Sequence, residues 1–369
     1  MAEVIPPARE EQPQSSSAQI PTPMDMGKPA KTVGEDFWIA VLGGSDDVLG
    51  FSKDNTRTVP IEGNNDSWRL IPDDLVWTRC HVSPSYFRQR ARWNFSGCAA
   101  ILNLISDPDY NPRTLQIAER ITAGFRDRLI NDPRHIWMTR RDDVARTLQG
   151  TPWLQVPKVM RLRRPTLARL HARIEAEEFH FPAIVRRAGT QSGRIVGAYR
   201  RPEDMSHLFA RMSKGEYYFT EFVNFRSSDG LFRKMRLFNI GGEIILRHLF
   251  VADQWNIHGR MARQGIMKDR EDLRAEERRY FEGGEGVTMD HAAEMMKEAA
   301  RRLKLDYFGM DCSPTEDGRF VLFEANATMN FTPASPDSRY DYARSGLALG
   351  EQALRRILLR PDEHAYDST

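Results

Sequence analysis

Two carboxylates and one amide lie close together in the C-terminal part of the chain. Asp311 precedes Glu324 by thirteen residues, and Asn326 follows two residues later. The apolar run FVLFEA at residues 320–325 comes after a Glu-Asp-Gly turn, so it predicts a strand whose alternation puts Glu324 and Asn326 on one face. Asp311 is then expected on the neighbouring strand of a hairpin. Because Mg²⁺ takes oxygen ligands, the trio predicts a magnesium site; an ordinary hairpin with acidic residues facing water is the alternative.

A second group of residues suits phosphate. The run FPAIVRR at residues 181–187 precedes AGTQSG at residues 188–193 and a further apolar stretch that ends at Tyr199. This order predicts a strand, a loop of small residues and a returning strand. Glycine lets backbone N–H groups approach phosphate oxygens closely, and Arg186 on the first strand supplies positive charge. A plain β-hairpin is the alternative.

Basic side chains follow on two further strands. The run YYFTEFV at residues 217–223 predicts a strand, and RKMRLF at residues 233–238 predicts another, which a Gly-Gly turn joins to a strand over residues 243–251. Alternation puts Lys234 and Arg236 on one face, and Arg247 lies on the next strand. A solvated strand face explains these three side chains equally well.

Taken in order, four segments resemble the ATP-grasp superfamily, which includes D-alanyl-D-alanine ligase and glutathione synthetase. They are FPAIVRR with its loop, TEFV at residues 220–223, RKMRLFNIGGE at residues 233–243, and FGMDC with DGRFVLFEANA at residues 308–327. The resemblance covers roughly residue 129 to the C-terminal region. Members clamp ATP between two small α+β subdomains, and most convert a carboxylate into an acyl phosphate that a nucleophile then attacks.

The resemblance implies roles for particular residues. It puts Asp311, Glu324 and Asn326 at the ligands of two magnesium ions, and the loop of Gly189, Ser192 and Gly193 over the triphosphate of ATP. Glu221, Phe222 and Val223 match the hinge, whose backbone would pair with adenine, and Arg236 and Arg247 match basic contacts to phosphate or acyl phosphate. Arg186 stands where the family usually has a lysine, and Arg187 where it usually has proline. Arginine and lysine are not interchangeable at a close phosphate contact, so the resemblance implies conserved charge with altered geometry.

A narrower likeness concerns a bacterial branch of ATP-grasp proteins that is often fused to tetratricopeptide repeats. It rests on INDP at residues 130–133, TRRD at residues 139–142, FVNFRSSDGLFRK at residues 222–234 and FEANATM at residues 323–329. In that branch a tryptophan and a histidine tend to follow the hairpin, as Trp255 and His258 do here. His258 is the candidate general base, since histidine titrates near neutrality; a hydrogen-bonded histidine beside a loop is the alternative.

Composition narrows the class of protein. The 369 residues carry 53 Lys and Arg against 51 Asp and Glu, a balance that argues against a dedicated nucleic-acid binder. No segment approaches the roughly 18 consecutive apolar residues of a membrane helix. The three cysteines have no metal-binding spacing and suggest a reducing compartment, so we expect a cytoplasmic protein. A homodimer is favoured only by analogy.

The expected fold is α+β with α/β: an ATP-grasp fold behind an α/β pre-ATP-grasp domain. We expect a disordered tail over residues 1–34, the α/β domain over 35–130, the small subdomain over 131–220 and the C-terminal subdomain with the metal site over 221–369. The basic stretch at residues 158–173 is expected to form a helix surface, with Leu162, Leu167 and Leu170 facing inward.

The expected activity is that of an ATP- and Mg²⁺-dependent ligase. It would join a carboxylate to an amine or a thiol through an acyl phosphate and release ADP, with an amino acid or a peptide as substrate. Two alternatives stay open: a phosphotransferase that uses the same clamp, and an inactive nucleotide-binding or partner-binding module.

Overall fold

Three β-sheets organise the molecule. A computed structural model of the protein describes residues 38–47, 63–89, 92–190, 195–283, 286–332, 337–364 and 366. The strands are β1 (Ile39–Gly44), β2 (Trp77–Val82), β3 (Ala100–Asn103), β4 (Leu129–Ile130), β5 (Leu154–Gln155), β6 (Val159–Arg163), β7 (Ala183–Arg187), β8 (Gly197–Tyr199), β9 (Glu216–Glu221), β10 (Phe232–Ile240), β11 (Glu243–Ala252), β12 (Tyr307–Pro314) and β13 (Phe320–Asn326).

The helices cover the sheets and connect them. They are α1 (Pro112–Thr122), α2 (Pro133–Ile136), α3 (Arg141–Leu148), α4 (Leu167–Glu177), α5 (Gly259–Gln264), α6 (Ile266–Asp269), α7 (Glu271–Phe281), α8 (Gly286–Leu303) and α9 (Ser345–Leu359). Among the residues described, none of the helices is both long and apolar enough to cross a membrane.

The first sheet is parallel and has the order β2-β1-β3-β4. Every residue of β1 and β3 is buried, as expected for parallel strands that are covered on both faces. The second sheet has the order β11-β10-β12-β13-β5, and its pairs are antiparallel except for β13 with β5. The third sheet, β6-β9-β7-β8, is antiparallel. The predicted fold class, α+β behind an α/β unit, is confirmed.

The first two sheets share hydrophobic cores, whereas the third sheet has a separate core. One core joins Leu42 and Ile101 of the first sheet to Leu237 and Met310 of the second. Another joins Val41 of the first sheet to residues of the second sheet and of α9. The third sheet has a core of its own, closed by α4. The first two sheets therefore form one platform, and the third sheet packs as a separate unit.

The small sheet begins at Val159, and before it Leu154 and Gln155 pair with β13 and tie the preceding helices to the platform. The domain boundaries given above stay predictions. One expectation within this region differs from the structure. The helix expected over residues 158–173 is wrong in its first part, where residues 159–163 form β6. Met160 and Leu162 are buried at a spacing of two, which is the alternation of a half-buried strand.

Candidate active site

A cavity of about 590 Å³ lies between the second and third sheets. Arg236, Asp311 and Glu324 line it from the platform, and Ile184 and Arg186 line it from the small sheet. The loop after β3 borders it from the first sheet. Residues from all three sheets thus meet at one site.

Four side chains form a row across the platform sheet beside this cavity. Cα pairing across the neighbouring strands gives the order His248, Arg236, Asp311, Glu324. Side chains that are directly opposite on adjacent antiparallel strands lie on the same face within contact distance. The register of the sheet therefore brings a histidine, a guanidinium and two carboxylates together.

Asp311 is buried and carries its negative charge between two cations. Arg236 donates Nε to Oδ1 at 2.6 Å and Nη2 to Oδ2 at 2.8 Å, and Lys234 Nζ lies 3.3 Å from Oδ2. Burial alone raises the pKa of this carboxyl, but Arg236 and Lys234 outweigh burial and hold its pKa well below the usual range. Asp311 is therefore an anion at every physiological pH.

Glu324 carries the second charge and has a different cation as its partner. Arg141 Nη2 lies 2.7 Å from Glu324 Oε1, and Asn326 Nδ2 donates to the same oxygen at 2.7 Å. Burial and Asp311 raise the pKa of Glu324, while Arg141 and Arg186 lower it, and the net direction is down. The expected sharing of one face by Glu324 and Asn326 is confirmed by their hydrogen bond.

The oxygen atoms of Asp311, Glu324 and Asn326 are suitable ligands for a hard divalent cation that is also coordinated by phosphate. Two carboxylates lie on paired strands, and Asn326 Oδ1, the third predicted ligand, accepts the N–H groups of Thr328 and Met329 at 2.9 and 3.1 Å. In the part of the chain that the structure describes, no cluster of three or more His, Cys, Asp or Glu side chains could hold a metal ion. One or two carboxylates completed by water and substrate phosphates is the usual environment of Mg²⁺ in nucleotide sites. Asp311, Glu324 and Asn326 fit this pattern.

Arg186 lines the cavity and forms no direct ion pair among the described residues, while the charges of Glu324 and Asp311 raise its pKa from farther away. Burial and the nearby Arg141 lower the pKa of its guanidinium to about 10. The side chain is half-buried, and a cation in such a position gains stability when an anion joins it. Gly189 lines the same cavity with φ at +71°, a left-handed conformation that favours glycine. Ser192 and Gly193 lie outside the described residues.

The predicted hinge borders the cavity with apolar side chains. Phe222 and Val223 line it, and the ring of Phe222 meets Trp255 edge-on at 5.5 Å. The Phe222 N–H donates to Pro182 O at 2.8 Å, so this amide is already engaged. The Glu221 carboxylate accepts the His180 N–H at 2.7 Å and turns toward the end of α4. The hinge therefore lines the cavity with apolar side chains. One of its backbone N–H groups, that of Phe222, already donates a hydrogen bond within the protein.

His258 precedes α5 and lines the cavity. Burial lowers its pKa, and Lys234 and Arg186 lower it further. The imidazole is therefore neutral at neutral pH, with a ring nitrogen able to accept a proton.

Arg247 does not line the cavity, so its expected contact with phosphate is wrong. The pairing of β10 with β11 shifts between Arg236 and Leu237, and this β-bulge leaves Arg247 without a partner residue while His248 takes the place opposite Arg236. Arg247 is buried, with Nε donating to Phe331 O at 2.9 Å and Nη1 donating to Ala343 O at 3.2 Å. Its guanidinium stabilises the C-terminal segment.

His248 is a cavity residue that sequence reasoning missed. Its ring stacks on Phe250 at 3.8 Å, and its Nε2 is buried with no hydrogen-bond partner among the described residues. Burial and Arg236 lower its pKa well below the ordinary value. Sequence reasoning had selected Arg247, the residue before His248. The β-bulge puts His248 on the face of Arg236 instead.

Asp109 and Arg141 were also missed. Asp109 follows the first sheet and lies 3.2 Å from Arg140 Nε and 3.0 Å from Arg161 Nη2, and it accepts the hydroxyl of Tyr218. Arg161 and Tyr218 belong to β6 and β9, so one carboxylate joins the platform to the small sheet. Arg141 was part of the quoted TRRD segment, but its distance from Glu324 along the chain gave no sign that the two pair.

No protein-family model matches this chain, and no curated protein matches it in sequence. Solved structures do show similarity. The VanG D-Ala:D-Ser ligase of Enterococcus faecalis is 14% identical, with 88% of this chain and 99% of that chain covered and a TM-score of 0.48. The D-alanine–D-alanine ligase of Bacillus anthracis is 13% identical, with 88% and 98% covered and a TM-score of 0.46. The macrocyclase MdnC of Microcystis aeruginosa, bound to its precursor peptide, is 11% identical, with 87% and 99% covered and a TM-score of 0.46.

These TM-scores lie below 0.5, so the assignment of the fold rests on the sheets themselves. Two sheets border one cleft, the carboxylates lie on the larger of the two, and a parallel α/β sheet precedes them. This is the architecture that the resemblance implies. The predicted fold, α+β behind an α/β unit, is thereby confirmed, and membership of the ATP-grasp superfamily stays a prediction.

Proposed function

We propose that this protein is an ATP- and Mg²⁺-dependent ligase that forms ADP. It activates a carboxylate as an acyl phosphate and joins it to an amine or a thiol, with an amino acid or a peptide as the substrate. A reducing cytoplasmic location and a homodimer stay predictions.

One observation carries the proposal: a charged row and an apolar wall face the same cavity. Arg236, Asp311 and Glu324 form the row, and Phe222 with Trp255 forms part of the wall. A nucleotide triphosphate has the same division, with an apolar base at one end and anionic phosphates at the other. The separation of charged and apolar surfaces within one cavity supports a nucleotide as the ligand.

The cationic side chains suit the phosphate end. Arg186 forms no direct ion pair among the described residues, and phosphate oxygens would supply one. Bound Mg²⁺, held by Asp311, Glu324 and Asn326, would neutralise phosphate charge during transfer. Arg236 and Lys234 border the same region and would stabilise the charge that develops as the bond to ADP breaks.

The proposed chemistry has two steps that conserve atoms and charge. A substrate carboxylate oxygen attacks the γ-phosphorus of ATP, and ADP leaves with the electrons of the broken P–O bond. The acceptor nitrogen or sulfur then attacks the acyl carbon, and inorganic phosphate leaves. The acceptor loses a proton, for which the neutral imidazole of His258 is the proposed acceptor. Exclusion of water from the cavity would protect the acyl phosphate, which water otherwise hydrolyses.

Calorimetric titration with a non-hydrolysable ATP analogue tests the proposal. We expect Mg²⁺-dependent binding to the wild type and binding weakened more than about tenfold by Glu324→Ala, because loss of an outer-shell partner alone costs roughly 10- to 100-fold in metal affinity. Glu351→Ala, at an exposed position of α9, is the control for loss of one carboxylate. A folded wild type that binds no nucleotide would sink the proposal.

Product analysis separates the ligase from a phosphotransferase. Candidate pairs of carboxylate and amine are screened for release of ADP. A ligase yields free phosphate and a condensed product in equal amounts, whereas a phosphotransferase leaves the phosphoryl group on its substrate.

A further inference from the structure

Arg141 pairs with a proposed metal ligand from outside the sheet that carries it. It is the first residue of α3, and its side chain is 21% exposed. Its Nη2 lies 2.7 Å from Glu324 Oε1. Glu324 Oε1 also accepts Asn326 Nδ2, so one of its two oxygens is engaged by two donors.

The two carboxylates of the site are more than neutralised by protein cations. Arg236 and Lys234 face Asp311, and Arg141 and Arg186 act on Glu324. Four cationic side chains therefore surround two carboxylates. A free divalent cation would meet a net positive environment here, whereas one that arrives with a polyanionic nucleotide would not.

Arg141 also borders the space that the phosphates would occupy. It lines the cavity together with Arg186, and the two cations repel each other, since the charge of Arg141 lowers the pKa of Arg186. Glu324 acts on both guanidinium groups and offsets part of this repulsion. Arg141 therefore lies beside a proposed metal ligand and lines the same cavity as a second cation that phosphate would attract.

We propose that Arg141 is an exchangeable counter-ion of Glu324. Without nucleotide, its guanidinium holds one of the two carboxylate oxygens of Glu324, and its charge opposes a metal ion at that carboxylate. When metal and nucleotide enter together, the guanidinium turns from Glu324 to a phosphate oxygen. Arg141 is therefore a positioning residue that makes metal binding depend on nucleotide binding. This inference rests on the proposed function.

The test measures two affinities whose changes should have opposite signs. Free Mn²⁺ is titrated without nucleotide and followed by electron paramagnetic resonance, and the ATP analogue is titrated calorimetrically in the presence of a chelator. For Arg141→Gln we expect free Mn²⁺ to bind on the order of tenfold more tightly and the metal-free analogue on the order of tenfold more weakly, since one charge-assisted hydrogen bond is exchanged for another. General damage to the site would weaken both.

Two further variants complete the design. Arg146→Gln removes an exposed arginine of the same helix, and both affinities should stay within about twofold of the wild type. Arg141→Lys keeps the charge and should hold free Mn²⁺ affinity near that of the wild type, which tests the idea even when Arg141→Gln fails to fold. Unchanged or weaker Mn²⁺ binding by a folded Arg141→Gln would overturn the inference, as would tighter Mn²⁺ binding by Arg141→Lys equal to that by Arg141→Gln. Failure of the wild type to bind the analogue with Mg²⁺ would instead contradict the proposed function.

Discussion

Arg186 is a cation that the folded protein stabilises poorly without a ligand. Its side chain is half-buried, and burial together with the charge of Arg141 lowers the pKa of its guanidinium to about 10. We predict that Arg186→Gln raises the free energy of unfolding by on the order of 1 kcal/mol in the absence of nucleotide, because stability is often lost where function needs a strained site. The same substitution should weaken binding of the Mg²⁺–ATP analogue at least about tenfold.

Chemical denaturation and calorimetry on one preparation measure both effects of Arg186→Gln. The exposed Arg200→Gln is the control and should change neither quantity. A variant that is less stable than the wild type would show that Arg186 has a partner in the free protein and does not wait for phosphate.

His248 makes stability depend on pH. Burial and Arg236 lower its pKa well below the ordinary value near 6.5, so the unfolded chain binds a proton that the folded protein does not. Stability from this residue is therefore fully present above about pH 6.5 and falls as the pH drops toward the folded pKa. His248→Phe keeps a ring over Phe250 and should lose this dependence.

Denaturation curves at pH 7.5 and pH 5 test the prediction for His248. The free energy of unfolding of His248→Phe relative to the wild type should shift in favour of the variant by roughly 1–2 kcal/mol at the lower pH. His207→Gln, at an exposed histidine, should show a much smaller shift. A difference that is the same at both pH values would contradict the prediction.

The sequence predicted the part of the site that strand periodicity controls. Asp311, Glu324 and Asn326 follow from one hairpin and its alternation, and Arg236 follows from the neighbouring strand. Arg141 and Asp109 escaped because their partners are far away in the sequence, and tertiary packing alone brings them together. Arg247 was assigned wrongly because a one-residue bulge changes which side chains of β11 share a face with Arg236. The residue types at positions 236–248 do not predict this bulge.

The β10–β11 hairpin depends on its glycine turn. Gly241 and Gly242 have φ values of +57° and +88°, and a Cβ on Gly241 would collide with Ile357 of α9. We predict that Gly241→Ala lowers the free energy of unfolding by roughly 2–4 kcal/mol, from left-handed strain plus overpacking. Gly230→Ala has similar strain at φ +81° but open space around its Cβ, so it should cost about 1 kcal/mol.

Urea denaturation of both glycine variants measures the two costs. Because the hairpin carries Arg236 and His248, the loss of stability in Gly241→Ala should be accompanied by weaker nucleotide binding. Equal destabilisation by the two variants would show that contact with α9 adds nothing to the turn.

Sequence patterns predicted most strands of the second sheet and missed one of the third. The runs around residues 233–238, 243–251 and 320–325 alternate clearly or are bounded by glycine turns, and the observed strands extend them by a few residues. Residues 159–163 read as helix because basic and apolar residues there continue into the pattern of α4. These residues form a strand because Met160 and Leu162 are buried in the core of the small sheet. Local propensity cannot predict this tertiary packing.

Asp109 couples two units of the whole molecule. Its carboxylate receives Arg140, Arg161 and Tyr218 and is nearly buried, so it holds the loop after β3 against the small sheet. We predict that Asp109→Asn speeds amide hydrogen exchange in β6 and β9 and weakens nucleotide binding, because one neutral amide cannot satisfy two guanidinium groups. The expected loss of stability is roughly 1–3 kcal/mol.

Hydrogen exchange followed by mass spectrometry resolves the strands of the small sheet individually. Asp127→Asn, at an exposed carboxylate that pairs with the adjacent Arg128, serves as the control. Faster exchange throughout the platform would indicate general unfolding, and unchanged exchange in β6 and β9 would mean that Asp109 does not couple the two units.

The unequal sharing of hydrophobic cores decides which parts of this chain can be exchanged with other proteins. A cut near residue 130 would expose apolar faces on both fragments, since β1 and β3 bury side chains against β10 and β12. Chimaeras that replace the first sheet must therefore also carry matching residues of the second sheet and of α9. The small sheet has a core of its own, so we expect that residues 159–221 can be exchanged as a block only where the recipient supplies a carboxylate in the place of Asp109. The protein thus has two exchangeable units, the platform and the small sheet. The loop after β3, which borders the cavity, belongs to the platform together with Asp311 and Glu324.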